Sequence, residues 1–84
     1  MSYNRYVELL LNQGFRELGY FSGIRTFLGI DLLITVEEYS GGYQLTIDSV
    51  KQNIGEVYYL TSDYQVCQVL GEYFQYWEDI SNEI

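Results

Sequence analysis

The stretch from residue 31 to residue 48 constrains the fold most, because it alternates in two-residue steps on both sides of a glycine pair. Leu32, Ile34 and Val36 share one face, while Leu33, Thr35, Glu37 and Tyr39 share the other. That is the period of an extended chain, whose side chains point up and down in turn. Ser40, Gly41 and Gly42 supply a compact reversal, after which Tyr43, Leu45 and Ile47 alternate with Gln44, Thr46 and Asp48. A hairpin is expected, with one apolar face that must be covered and one polar face left open. An isolated hairpin is marginal in water, so the rest of the chain has to supply the cover.

Two helices are expected to do so. Ser62 with Gln65 matches a capping box, in which the hydroxyl takes the third helical N–H and the Gln side chain reaches back. Asp63 then sits at the positive end of the helix dipole. Val66, Val69, Leu70, Tyr73, Phe74, Trp77 and Ile80 recur at three and four residues, the stripe of an amphipathic helix. At the other end, Ser2 is expected to cap a helix over Tyr3 to Gln13, with Tyr3, Tyr6, Val7, Leu10 and also Leu11 on one side and Gly14 as a left-handed stop. A further strand is expected over Glu56 to Leu60, after the turn signal Asn53-Ile54-Gly55, with both of its faces apolar. Residues 15–30 fit a short strand or an irregular loop equally, since Gly19, Gly23 and Gly29 interrupt the periodicity.

The order is therefore α-β-β-β-α or α-β-β-β-β-α: an α+β fold in which an N-terminal and a C-terminal helix pack on one face of a small antiparallel sheet of three or four strands. With 84 residues, no Pro and no Ser/Gly-rich linker, residues 1–84 are expected to form a single domain. Ten Tyr, four Phe and one Trp provide large side chains for a core of this size, and the excess of Tyr points to surfaces half in and half out of water. An apolar content of 48% argues against disorder despite the acidity.

Twelve acidic against four basic residues give a formal net charge of −8. Such a field repels nucleic acid and anionic membranes and favours encounter with basic partners. No basic segment leads into an apolar run, and no run approaches the ~20 apolar residues that span a bilayer. A cytoplasmic protein without membrane contact is expected, as a monomer or homodimer. The lone Cys67 excludes an intrachain disulfide, and the absence of His removes imidazole chemistry and the common zinc ligand sets.

Catalytic constellations are not visible. The serines lack a His partner, and Cys67 lies on the terminal helix with no basic neighbour to lower its pKa. Glu37 and Glu38 are adjacent in a strand and point to opposite faces, so they do not clamp one substrate. No calcium loop is present, and Gly19, Gly23 and Gly29 lack the spacing and the Lys of a phosphate loop. The chain is read as a non-enzyme without cofactor or metal, and its carboxylates as shape and charge for recognition.

Two surfaces are candidates. On the open face of the hairpin, Glu37, Tyr39 and Asp48 stand with Thr35, Gln44 and Thr46. On the terminal helix, Gln68, Glu72, Gln75 or Tyr76, and Asp79 follow one another at four, three and four residues. Glu78, Asp79 and Glu83 lie near a helix C-terminus, where the dipole favours cations, and no Lys or Arg follows Lys51. Acids placed against the dipole point to an outside basic partner. The expected contact residues are thus Glu37, Tyr39, Asp48, Glu72, Tyr76, Glu78 and Asp79.

An opening helix, the Gly-centred hairpin LLITVEEYSGGYQLTID and the aromatic, acidic segment YQVCQVLGEYFQYWEDISNEI together give a layout that resembles the small phage-encoded anti-CRISPR proteins. The resemblance implies an inhibitor in the host bacterial cytoplasm that presents carboxylates to the arginines of a Cas nuclease, in the manner of a DNA mimic. Duplex DNA carries about one negative charge per 1.7 Å, so an acidic surface studded with Tyr can occupy a channel lined by Arg and Lys. The alternative is a structural or regulatory interaction module, such as a toxin-immunity protein or an oligomer subunit, without nucleic-acid mimicry.

Overall fold

The computed structural model describes residues 4–49, 51 and 53–82, with side chains described as far as Gln75. The elements run α1 (Arg5–Asn12), β1 (Arg16–Phe21), β2 (Ile24–Leu28), β3 (Leu33–Tyr39), β4 (Gly42–Ser49), β5 (Ile54–Leu60) and α2 (Asp63–Asn82). The five strands form one antiparallel meander in the order β1-β2-β3-β4-β5. The fold is α+β with a helix at each end, as the patterning predicts, but the sheet has five strands where three or four are expected.

The additional strands come from residues 15–30, which form a complete hairpin. Ser22 and Gly23 both have left-handed backbone, with φ of 52° and 81°, the conformation of the two-residue turns whose twist matches that of antiparallel strands. A side chain at position 23 would come within 2.9 Å of the Glu38 carbonyl oxygen. The alternation in β1 is concealed by a bulge. Glu17 pairs with Phe27 and Gly19 with Thr26, so Leu18 is the extra residue and the two-residue period slips there.

Leu45 and Ile47 of β4 face the same side as Ile34 and Val36 of β3, and all four are fully buried. Phe27 of β2 joins them from one side, and Tyr6, Val7 and Leu10 of α1 with Val66 and Leu70 of α2 close the core from above. Both helices thus cover the same face of the sheet and pack against each other. Partly buried Val69, Tyr73 and Phe74 continue the α2 stripe. The expected stripe members Trp77 and Ile80 have side chains outside the described residues. Burial of a Leu, Ile or Phe side chain stabilises by about 1.5–3 kcal/mol, and Tyr6 adds edge-to-face contacts with Phe27 and Tyr43 at centroid separations of 6.3 and 6.1 Å.

The α2 start follows its sequence signature closely. The Ser62 hydroxyl accepts the Gln65 N–H at 3.2 Å, and Gln65 Oε1 reaches back to accept the Thr61 N–H at 2.7 Å, one residue beyond the expected reciprocal partner. Helix α1 ends in a Schellman arrangement, with the Phe15 N–H on the Leu10 carbonyl, the Gly14 N–H on the Leu11 carbonyl and Gly14 at φ 89°. Its start differs from expectation. Ser2 and Tyr3 lie outside the described residues, the cap position belongs to Asn4, and Asn4 makes no side-chain cap bond. The Asp63 carboxylate instead accepts the Arg5 N–H at 2.9 Å and the Tyr6 N–H at 3.2 Å. One acidic side chain therefore stands at the positive ends of both helices.

Candidate partner-binding surface

Strand register determines which residues share the uncovered face. The central row across the sheet is Gly19, Thr26, Thr35, Thr46 and Val57. On one side runs Phe21, Ile24, Glu37, Gln44 and Tyr59. On the other runs Arg16, Leu28, Leu33, Asp48 and Gly55. Tyr39 extends the face beyond Glu37, opposite Gly42. Phe21 is 81% exposed and Tyr59 71%, so the face presents large apolar and aromatic groups to solvent. A side chain at Gly42 would run into the Leu60 carbonyl oxygen, which shows how closely β4 and β5 approach at that end.

The seven expected contact residues do not form one surface. Glu37, Tyr39 and Asp48 lie on the uncovered sheet face, with Glu37 and Asp48 half-buried at opposite ends of it. Glu72 is exposed on α2, in the layer that covers the other face. Tyr76, Glu78 and Asp79 belong to the α2 backbone, but their side chains lie outside the described residues. Helix α2 has no basic residue in its last turn, as the composition of that segment requires.

Several acids serve the fold. Glu38, adjacent to Glu37 but on the covered side, accepts hydrogen bonds from the Tyr6 hydroxyl at 2.8 Å and from the Asn4 amide, and lies 3.9 Å from Arg25 Nε. Arg25 also pairs with Glu17 at 3.3 Å and stacks over the Tyr20 ring at 4.2 Å. Glu56 accepts the Tyr58 hydroxyl at 2.7 Å. Arg25, one of only four cations, is thereby engaged internally together with Glu17 and Glu38.

Burial and the neighbouring Glu38 carboxylate push the Tyr6 phenol far above its ordinary pKa. The hydrogen bond to Glu56, followed by burial, pushes Tyr58 up to about 12. Both phenols are held neutral as donors. Burial also raises the Cys67 thiol, and Asp63 adds to that, the opposite of what a nucleophilic thiolate needs. Among the described residues no group of three His, Cys, Asp or Glu is placed to hold a metal, and no helix is long and apolar enough to cross a membrane.

The residues that sequence reasoning missed are Phe21, Ile24, Thr26 and Leu28 of the first hairpin and, in their facing, Val57 and Tyr59 of β5. The Ser22-Gly23 pair between Phe21 and Ile24 is the signal that marks the first of these. No protein-family model, curated protein or solved structure matches the chain.

Proposed function

We propose that the chain is an acidic, non-enzymatic inhibitor that binds the basic, nucleic-acid-binding surface of a bacterial nuclease or CRISPR effector and excludes the nucleic acid. The observation that carries this reading is the uncovered sheet face. It combines exposed Phe21, Tyr39 and Tyr59 with the carboxylates of Glu37 and Asp48, on a molecule of net charge −8. An open antiparallel face normally alternates to polar residues. Aromatic and aliphatic groups rimmed by polar ones are instead the composition of protein contacts, and the charge selects a basic partner. Open-face aromatics also stack single-stranded bases in some folds, but the carboxylates repel phosphate.

The test is displacement. Immobilised chain is exposed to bacterial lysate at low salt, and retained basic proteins are identified by mass spectrometry. Each is then bound to labelled duplex DNA and titrated with free chain. Release of the DNA, weakening steeply with added salt, supports the reading. A partner retained unchanged at high salt, with its DNA still bound, overturns it and leaves an interaction module without nucleic-acid mimicry.

A further inference from the structure

The uncovered face has relief as well as charge. Its central row is built from Gly19, three Thr and Val57; larger side chains stand on both sides along β1 to β4, and at β5 Tyr59 stands on one side while the Gly55 side is open. A furrow therefore crosses the strands. Its banks are four residues apart along β2 to β5, about 13 Å, and five along β1, where Leu18 bulges; it spans four strand spacings, about 19 Å. A helix with side chains is about 10–12 Å wide and rises about 1.5 Å per residue. One helix of about 13 residues fills the furrow.

Glu37 stands on one bank and Asp48 on the other, with Arg16 at the β1 end of the Asp48 bank, and neither carboxylate enters an ion pair among the described residues. Where the furrow reaches the free edge of the sheet at β1, a shallow hollow of about 500 Å³ is lined by Leu18, Gly19, Tyr20, Phe21, Ile24 and Thr26, room for a large apolar side chain. We infer that this furrow seats a positively charged amphipathic helix of the partner protein, with apolar residues on the threonine floor and Lys or Arg reaching Glu37 and Asp48. The inference rests on the reading above that the partner is a basic protein.

Other occupants meet specific obstacles. A helix satisfies its own backbone, whereas an extended chain needs main-chain partners that a sheet offers at its edges and not on its face. A second copy of this chain laid face to face brings Glu37 and Asp48 into a field of like sign. Nucleic acid brings phosphate toward the same two carboxylates.

The probe is a synthetic helical peptide of about 14 residues with Leu on one face and Lys along its flanks. It is titrated into the isotope-labelled full chain and followed by amide chemical shifts. The inference requires shifts centred on Thr26, Thr35, Thr46, Glu37 and Asp48. Thr35→Arg, which fills the floor with a like charge for the peptide, weakens binding by about tenfold or more, and so does the pair Glu37→Gln with Asp48→Asn. Glu72→Gln leaves affinity within about twofold. Thermal melts establish that each variant is folded, and the carboxylate pair serves if Thr35→Arg does not fold.

Absence of binding overturns the inference, as do shifts confined to α2, equal binding by a peptide with two central prolines, or furrow shifts with oligothymidine or on concentrating the chain alone. A basic partner that docks through α2 removes the furrow and leaves the inhibitor reading standing. Failure to displace DNA removes the inhibitor reading whatever the peptide does.

Discussion

Leu45 and Thr46 are neighbours in β4, yet one lies fully buried under two helices and the other on a face that no element of the described chain covers. The same one-residue step separates Glu38, bound to Tyr6 and Asn4, from Glu37 on the open side. The covered core is thus built from alternate residues of these strands, and the proposed recognition surface from the residues between them. Substitutions on the covered face should act on stability, and those on the open face on binding.

The largest break in that comparison is expected in the core. Phe27→Ala should lower stability by about 3–5 kcal/mol, because Phe27 is fully buried and its removal leaves a cavity. Val57→Ala, on the open face and 50% exposed, should cost less than about 1 kcal/mol. Denaturant midpoints of the two variants check this, and equal losses would mean that the open face is packed.

Gly42→Ala and Gly55→Ala make a second contrast within the β4–β5 pair. A Cβ at position 42 meets the Leu60 carbonyl and Thr61 Cα, whereas at position 55 it meets only Asp48 Oδ1 at 3.5 Å. The first variant should destabilise by about 1–3 kcal/mol as the strands part, and the second should stay within about 1 kcal/mol. Asp63→Ala should follow at about 1 kcal/mol, since it removes the acceptor for two N–H groups at the start of α1.

Alkaline pH probes the covered side selectively. Tyr6 and Tyr58 both have raised folded-state values, so their neutral forms contribute stability that is fully present below the ordinary phenol pKa of about 10. That contribution declines from there through about 12 for Tyr58 and further for Tyr6. Thermal melts between neutral pH and strongly alkaline pH should show the loss, and Tyr6→Phe should flatten it.

What the chain discloses in advance follows from how local each determinant is. The hairpin around Gly41-Gly42 and the Ser62–Gln65 cap are short-range patterns, and both appear where the residues place them. The first hairpin is hidden because the bulge at Leu18 shifts the phase of β1, and because Phe27 is the one fully buried residue in β2. The strand β5 begins at Ile54, within an apparent turn signal, and its facing is decided only by pairing with β4. The Asp63 cap joins residues 58 apart in the chain, beyond the reach of any local reading. Of the candidate contact residues, Glu37, Tyr39 and Asp48 were legible by alternation. Their neighbours Phe21, Ile24 and Tyr59 required the register of the whole sheet.

The smallest expected stability effect is the most informative about function. Glu37→Gln with Asp48→Asn should change stability by no more than about 0.5 kcal/mol. The most direct measurement is displacement of labelled duplex DNA from the proposed basic partner by three chains: the natural one, this double variant and Glu72→Gln. The natural chain and Glu72→Gln should displace DNA equally, while the open-face double variant should need about tenfold more protein. Equal displacement by the double variant, with loss confined to Glu72→Gln, would contradict assignment of recognition to the uncovered sheet face.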